Sequence, residues 1–138
     1  MTFETHSESE TWDVARRFAG TLRPGDVVCL EGDLGAGKTT FTQGLCAALG
    51  AKRAVASPTF CIVSEHPAPE FLVVHMDLYR LQGEEDVLQT GWEDYLARNA
   101  VLVVEWPDRA GELIPSDARH VRFSYGADES GRIIDIDG

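Results

Sequence analysis

The chain has 138 residues, of which 23 are acidic and 12 basic, for a formal charge of −11 at neutral pH. That length suits one domain over residues 1–138, able to bury about two-thirds of its unfolded surface without disulfides or metals, and the charge opposes direct, strong binding to a nucleic-acid backbone. No apolar run approaches the ~18 residues that cross a membrane, and the acidic start, with Glu4, Glu8 and Glu10, lacks a basic, apolar targeting pattern, so no membrane partner and a cytoplasmic location are expected.

A short strand is predicted near Thr2–Thr5. Ser7 and Glu10 then have capping-box spacing, and Trp12, Ala15, Phe18, Ala19 and Leu22 make one apolar stripe, which predicts an amphipathic helix ended by Pro24 and Gly25. Asp26-Val27-Val28-Cys29-Leu30 reads as a short buried strand. It leads into Gly32-Asp33-Leu34-Gly35-Ala36-Gly37-Lys38-Thr39, which fits the G-x-x-x-x-G-K-[ST] phosphate-binding loop. Phe41, Leu45, Ala48 and Leu49 follow at helical spacing until Gly50, so the loop sits between a strand and a helix, as it must.

The physical reason is that glycines let consecutive N–H groups turn inward at the positive end of a helix. The backbone of Asp33, Leu34, Gly35, Ala36, Gly37, Thr39 and Thr40 is therefore the candidate phosphate cradle. Lys38 adds a point charge for the β and γ phosphates, and the Thr39 hydroxyl is a candidate ligand for Mg²⁺. A nucleoside triphosphate is the expected ligand.

Downstream, a strand is predicted over 60–65, a turn at Pro67-Ala68-Pro69, a strand over 71–76, and short helices over 84–89 and 92–99 around Gly91. The apolar run 100–104 suits a central strand covered on both faces. Residues 119–125 and 132–137 alternate around Gly126 and Gly131 and predict a terminal hairpin. Helices alternating with buried strands indicate a three-layer α/β/α domain with its ligand outside the carboxyl ends of the strands. Cys29, Cys46 and Cys61 lie far apart in apolar stretches and suit reduced, buried thiols; His6, His66, His75 and His120 are scattered without metal-ligand spacing.

Two carboxylates stand at the carboxyl ends of strand candidates, Asp77 and Glu105, and both suit the metal-side acid of a triphosphate site. Capping a strand end, or pairing with an arginine such as Arg80, is the plain alternative for each. Glu105 follows the more uniformly apolar run and is favoured as the metal ligand, leaving Asp77 to position water or Thr39. Thr59, in Ser57-Pro58-Thr59-Phe60, stands where many phosphate-loop proteins keep a γ-phosphate sensor, although the same segment also makes an ordinary turn. Trp106 either closes the core edge or packs near the nucleotide. No guanine-reading Asn/Thr-Lys-x-Asp motif and no arginine-rich lid occurs. Besides an ATPase, a small-molecule kinase and a nucleotide-gated interaction module remain open.

Four segments taken together narrow this: Gly32 to Thr40, Ser57-Pro58-Thr59-Phe60, His75-Met76-Asp77-Leu78-Tyr79-Arg80-Leu81, and Val104-Glu105-Trp106-Pro107. In order and spacing they resemble the TsaE family, the ATPase of bacterial tRNA threonylcarbamoyladenosine synthesis, over about residues 9–115. The resemblance implies a P-loop NTPase domain with a mixed, mostly parallel sheet. It implies ATP hydrolysis with Mg²⁺ in support of a TsaD and TsaB complex, which transfers threonylcarbamoyl to the adenosine beside the anticodon; tRNA is met only through those subunits. Carried over by motif, Lys38 and the loop amides bind phosphates, Thr39 and Glu105 hold Mg²⁺, Asp77 supports hydrolysis, Thr59 lies in a switch-like loop and Thr11 is an adenine-side contact. The terminal loop around residues 129–132 is placed near the nucleotide. The chain departs from the pattern in Cys61-Ile62 after the switch segment and in a short C-terminus.

Overall fold

The computed structural model describes residues 1–32, 37–51 and 62–137. Strand β1 (Thr2–Thr5) leads directly into helix α1 (Glu8–Ala19). Ser7 starts that helix: its Oγ accepts the Glu10 N–H at 3.1 Å while the Glu10 carboxylate accepts the His6 N–H at 2.8 Å. This is a capping box whose return bond falls one residue early. The helix stops at Ala19, short of Pro24 and Gly25. Gly20 N–H turns back to the carbonyls of Arg16 and Phe18, and the Thr21 hydroxyl donates to Phe18 O at 2.7 Å, so the freed carbonyls are satisfied locally. The buried stripe is Val14, Ala15, Phe18, Ala19 and Leu22. Trp12, expected within it, is 38% exposed and lies over the second helix instead.

The remaining elements are β2 (Val27–Gly32), α2 (Lys38–Ala48), β3 (Val63–Pro67), β4 (Leu72–Asp77), α3 (Glu84–Leu88), α4 (Trp92–Ala97), β5 (Val101–Glu105), β6 (Arg119–Tyr125) and β7 (Arg132–Ile136). A 3-10 segment, Pro107–Leu113, was not apparent from periodicity, although Pro107 at its first position is pre-set for such a turn. Strand β3 begins later than predicted; residues 60 and 61 lie outside the described residues.

Among the described residues seven strands form one sheet in the order β1-β7-β6-β2-β5-β4-β3. Strands β6, β2, β5 and β4 pair in parallel. Because β7 is antiparallel to β6 and β1 to β7, β1 again runs with these four, and only β3 and β7 oppose them. The sheet is thus mixed and mostly parallel in direction.

Apolar side chains of the central strands alternate between two cores. On one face Val28, Leu30, Val103 and Phe123 meet Phe18 of α1 and Phe41 and Leu45 of α2. On the other, Cys29, Met76, Leu102 and Val104 meet Val87, Trp92 and Tyr95 of α3 and α4. Strand β5 feeds both, which is why its run is continuously apolar and buried throughout. Cys29 and Cys46 are free and buried, and burial pushes both thiols up to about 12, which makes them poor nucleophiles. Cys61 lies outside the described residues. No helix among the described residues is long and apolar enough to cross a membrane.

This topology brings the carboxyl ends of β1, β2, β4, β5 and β6 to one edge of the sheet, together with the starts of α2 and β7. The spacing of the two helices above that edge depends on Gly44, where a Cβ would sit 3.0 Å from Trp12 Cγ and 3.2 Å from Ala15 Cβ. Gly44→Leu is expected to destabilise the protein by about 1–3 kcal/mol through overpacking. Thermal unfolding checks this, and an unshifted midpoint would show that α1 and α2 are not held at contact.

Candidate functional site

Two glycines shape the entry to the site. Gly32, the last residue of β2, has φ +143° and faces the Phe123 carbonyl so closely that a Cβ would lie 2.5 Å from its oxygen. Gly37 has φ +106°, in the left-handed region that favours glycine, and stands at the N-cap of α2. Among the described residues no side chain caps this helix end, and its first turn holds no acid, which leaves the first amides at the positive end of the dipole. Asp33, Leu34, Gly35 and Ala36 lie outside the described residues, as does Thr59.

Lys38, the first residue of α2, is only 5% exposed. Its Nζ lies 3.7 Å from Glu105 Oε1 and 5.2 Å from the centroid of the Trp106 ring. Glu105 ends β5 and is buried too. Its other oxygen, Oε2, is 2.6 Å from His75 Nε2 on the neighbouring strand. Burial alone would push the Glu105 carboxyl up, but the hydrogen bond from His75 and the charge of Lys38 outweigh it and hold the group below the ordinary carboxylate range.

Asp77 stands opposite Glu105 in the β4–β5 register. It is half-buried, and its Oδ1 accepts the Tyr79 N–H at 3.1 Å in an Asx turn that fixes the way the chain leaves β4. Strand-end capping is therefore part of its role. Trp106 adopts φ 59°, ψ 53°, a left-handed conformation that bulky residues rarely take. The turn it makes brings its ring over Lys38 and within 4.8 Å of the exposed Tyr79 ring. Backbone strain of this kind concentrates at functional sites.

Thr39 and Thr40 are half-buried in the first turn of α2. Thr40 lines a cleft of about 360 Å³ together with Gly37, Thr11, Ser130 and Arg132. Thr11 is 4% exposed, and its hydroxyl shares a 2.9 Å hydrogen bond with that of Thr5. Arg132 stacks its guanidinium over Tyr125 and donates to the carbonyls of Glu129 and Gly131, closing the terminal hairpin at this edge. On the other side of Lys38, a smaller cleft of about 160 Å³ is bounded by Gly32, Trp106, Pro107 and Asp108. A further hollow of about 390 Å³ lies at the opposite end of the strands, among Arg16, Leu22, Leu49 and Phe71, away from these groups.

The residues singled out in the sequence thus fall into two groups flanking Gly37 and Lys38. Asp77, Glu105 and Trp106 stand on one side, with Thr11 and Thr40 on the other. His75 is the neighbour of Glu105 that scattered histidines concealed. Its signal was available in strand periodicity, since it stands two residues before Asp77 and shares that face.

Fold and edge together define a P-loop α/β domain. The family model described as threonylcarbamoyl adenosine biosynthesis protein TsaE matches residues 5–134. The tRNA threonylcarbamoyladenosine biosynthesis protein TsaE of Bacillus subtilis is 38% identical over 133 residues, covering 96% of this chain and 83% of the relative. That of Streptomyces coelicolor is 43% identical over 115 residues, 80% and 76% of the two chains. The crystal structure of Bacillus subtilis YdiB superposes with a TM-score of 0.82 at 33% identity, covering 99% of this chain and 83% of that one. The chain belongs to the TsaE family, whose members take part in tRNA threonylcarbamoyladenosine biosynthesis.

Because the folded Glu105 carboxyl is held below its ordinary value of 4.5, it adds stability that is fully present above that pH and lost as pH falls through the folded value. Glu105→Gln lacks this contribution at every pH. The stability difference between the wild type and this variant is expected to shrink as the pH is lowered below 4.5, and denaturant titrations at successively lower pH measure it.

Proposed function

We propose that the chain hydrolyses ATP with Mg²⁺, and that turnover resets a TsaB and TsaD assembly during threonylcarbamoyl modification of the adenosine beside the tRNA anticodon. The observation that carries this reading is the buried Lys38 at the uncapped start of α2, facing Glu105 and the Trp106 ring. Membership of the TsaE family supports the pathway.

The residues fit both groups. A cation and amides at a helix start suit phosphate, and Thr39, Glu105 and Asp77 are the hard oxygen donors that Mg²⁺ takes. Bound there, Mg²⁺ supplies charge neutralisation on the phosphoryl oxygens. Glu105, kept ionised by His75 and Lys38, and the Thr39 hydroxyl are assigned to hold it. Lys38 exchanges its present counter-charge, Glu105, for phosphate oxygens and steadies their charge as the terminal phosphoryl leaves. Asp77, with Oδ1 tied to Tyr79, turns its other oxygen to a water in line with that group. Thr59 is assigned the γ-phosphate-side hydroxyl. Trp106 and Tyr79 shield the phosphate side from solvent, and Thr11 and Thr40 border the base side.

Among the described residues the ion-pair partners of Glu105 are Lys38 and His75 and none is an arginine, so turnover by the isolated chain is expected to be slow and to rise with its partners. The charge of −11 leaves tRNA to those subunits. Reduced, buried thiols agree with a cytoplasmic setting.

Lys38→Ala should weaken ATP binding at least about tenfold, the loss of one charged contact, and abolish multiple-turnover modification in a reconstitution with TsaB, TsaD, tRNA and threonylcarbamoyl-adenylate. Undiminished modification by that variant would sink the reading. Asp77→Asn and Glu105→Gln should retain ATP binding in EDTA while lowering Mg²⁺-dependent hydrolysis by about a hundredfold. If modification continues in those variants, nucleotide binding alone does the work; phosphate found on an acceptor would make the protein a kinase. Tight, salt-sensitive binding of tRNA by the isolated chain would overturn the indirect role.

A further inference from the structure

The side chain at position 75 is fully buried in β4, flanked along the strand by Val73, Val74 and Met76. An aliphatic residue would fill that place without desolvating a polar ring. Among the described residues the imidazole Nδ1 is buried without a hydrogen-bond partner, and a buried polar group in that state calls for a physical account. What compensates is the 2.6 Å bond from Nε2 to Glu105 Oε2. An ionised carboxylate only accepts, so Nε2 carries the hydrogen and the bond is directional.

That bond divides the work of the two carboxylate oxygens. Oε2 is fixed from beneath the site, and Oε1 alone is left toward Lys38, whose Nζ stays at 3.7 Å, beyond hydrogen-bond distance. A glutamate free to rotate would close on the buried ammonium with both oxygens. The pair would then satisfy itself and present neither a free oxygen nor a free cation to the cleft.

Resting on the Mg²⁺-dependent reading of Glu105 above, we propose that His75 is a positioning residue, which holds the Glu105 carboxylate off Lys38 and presents its Oε1 to the metal side of the site. Residues that orient a metal-binding carboxylate typically change metal affinity by about 10–100-fold when removed. His75 would act chiefly on Mg²⁺, with a smaller effect on ATP through the freedom of Lys38.

The test is equilibrium binding of a fluorescent ATP analogue to the full chain, titrated with Mg²⁺ and repeated in EDTA, with thermal midpoints measured in parallel. His75→Leu should raise the Mg²⁺ concentration for half-maximal enhancement of binding by about tenfold or more, a larger change than that of the affinity in EDTA. His75→Gln, whose amide reaches the position of Nε2, should restore most of the Mg²⁺ response. His75→Asn carries the same amide one methylene short and should not. The Gln and Asn pair decides the matter even if the Leu variant fails to fold. A Mg²⁺-dependent wild type whose Leu and Asn variants respond to Mg²⁺ as it does overturns this proposal alone. A wild type indifferent to Mg²⁺ removes the metal reading and this proposal with it.

Discussion

Burying Lys38 against Glu105 is the constraint around which the rest of the edge is arranged. Removing an ammonium and a carboxylate from water costs several kcal/mol per ion, recovered only where geometry and further hydrogen bonds are good. Here the recovery is distributed over three elements. β5 supplies the carboxylate, β4 the imidazole that holds it, and the turn after β5 the indole that covers the ammonium. Such a pair is weak evidence for stability. It is better understood as a cation held dry and in place at the start of α2.

Sheet topology makes that arrangement possible. Parallel strands deliver their last residues to one edge: the pairing of Asp77 with Glu105 sets the ends of β4 and β5 level, while β2, whose Leu30 is level with Glu105, runs on to Gly32. The extension of the sheet through β6, β7 and β1 then brings Arg132 and Thr5 into register at the same edge. The cleft beside Thr11 is therefore built by pairings between the first and last strands, which join the two ends of the chain.

Much of this was legible in the sequence, for physical reasons that differ by element. The β2 and β5 runs and the glycine loop were plain because burial on two faces and phosphate binding each impose a strong local pattern. The acids at 77 and 105 followed from the rule that ligands gather at strand carboxyl ends. What escaped was what depends on partners. Trp12 fits the helical stripe by spacing, yet its neighbour is a glycine on another helix, and spacing cannot tell a core from a groove. The helix end at Gly20 turned on a side-chain hydroxyl reaching a carbonyl, not on the proline beyond it. His75 looked isolated because its partner is 30 residues away in the chain and adjacent only once β4 and β5 pair.

The left-handed backbone at Trp106 carries a consequence for how this position tolerates change. Glycine there would relax the turn by about 1–2 kcal/mol but would leave Lys38 without its aromatic cover. Tryptophan keeps the cover and retains the strain. The turn and the cover of Lys38 thus favour different residues at a single site, and the apolar contacts of the indole, packed against the second core, weigh on the side of tryptophan.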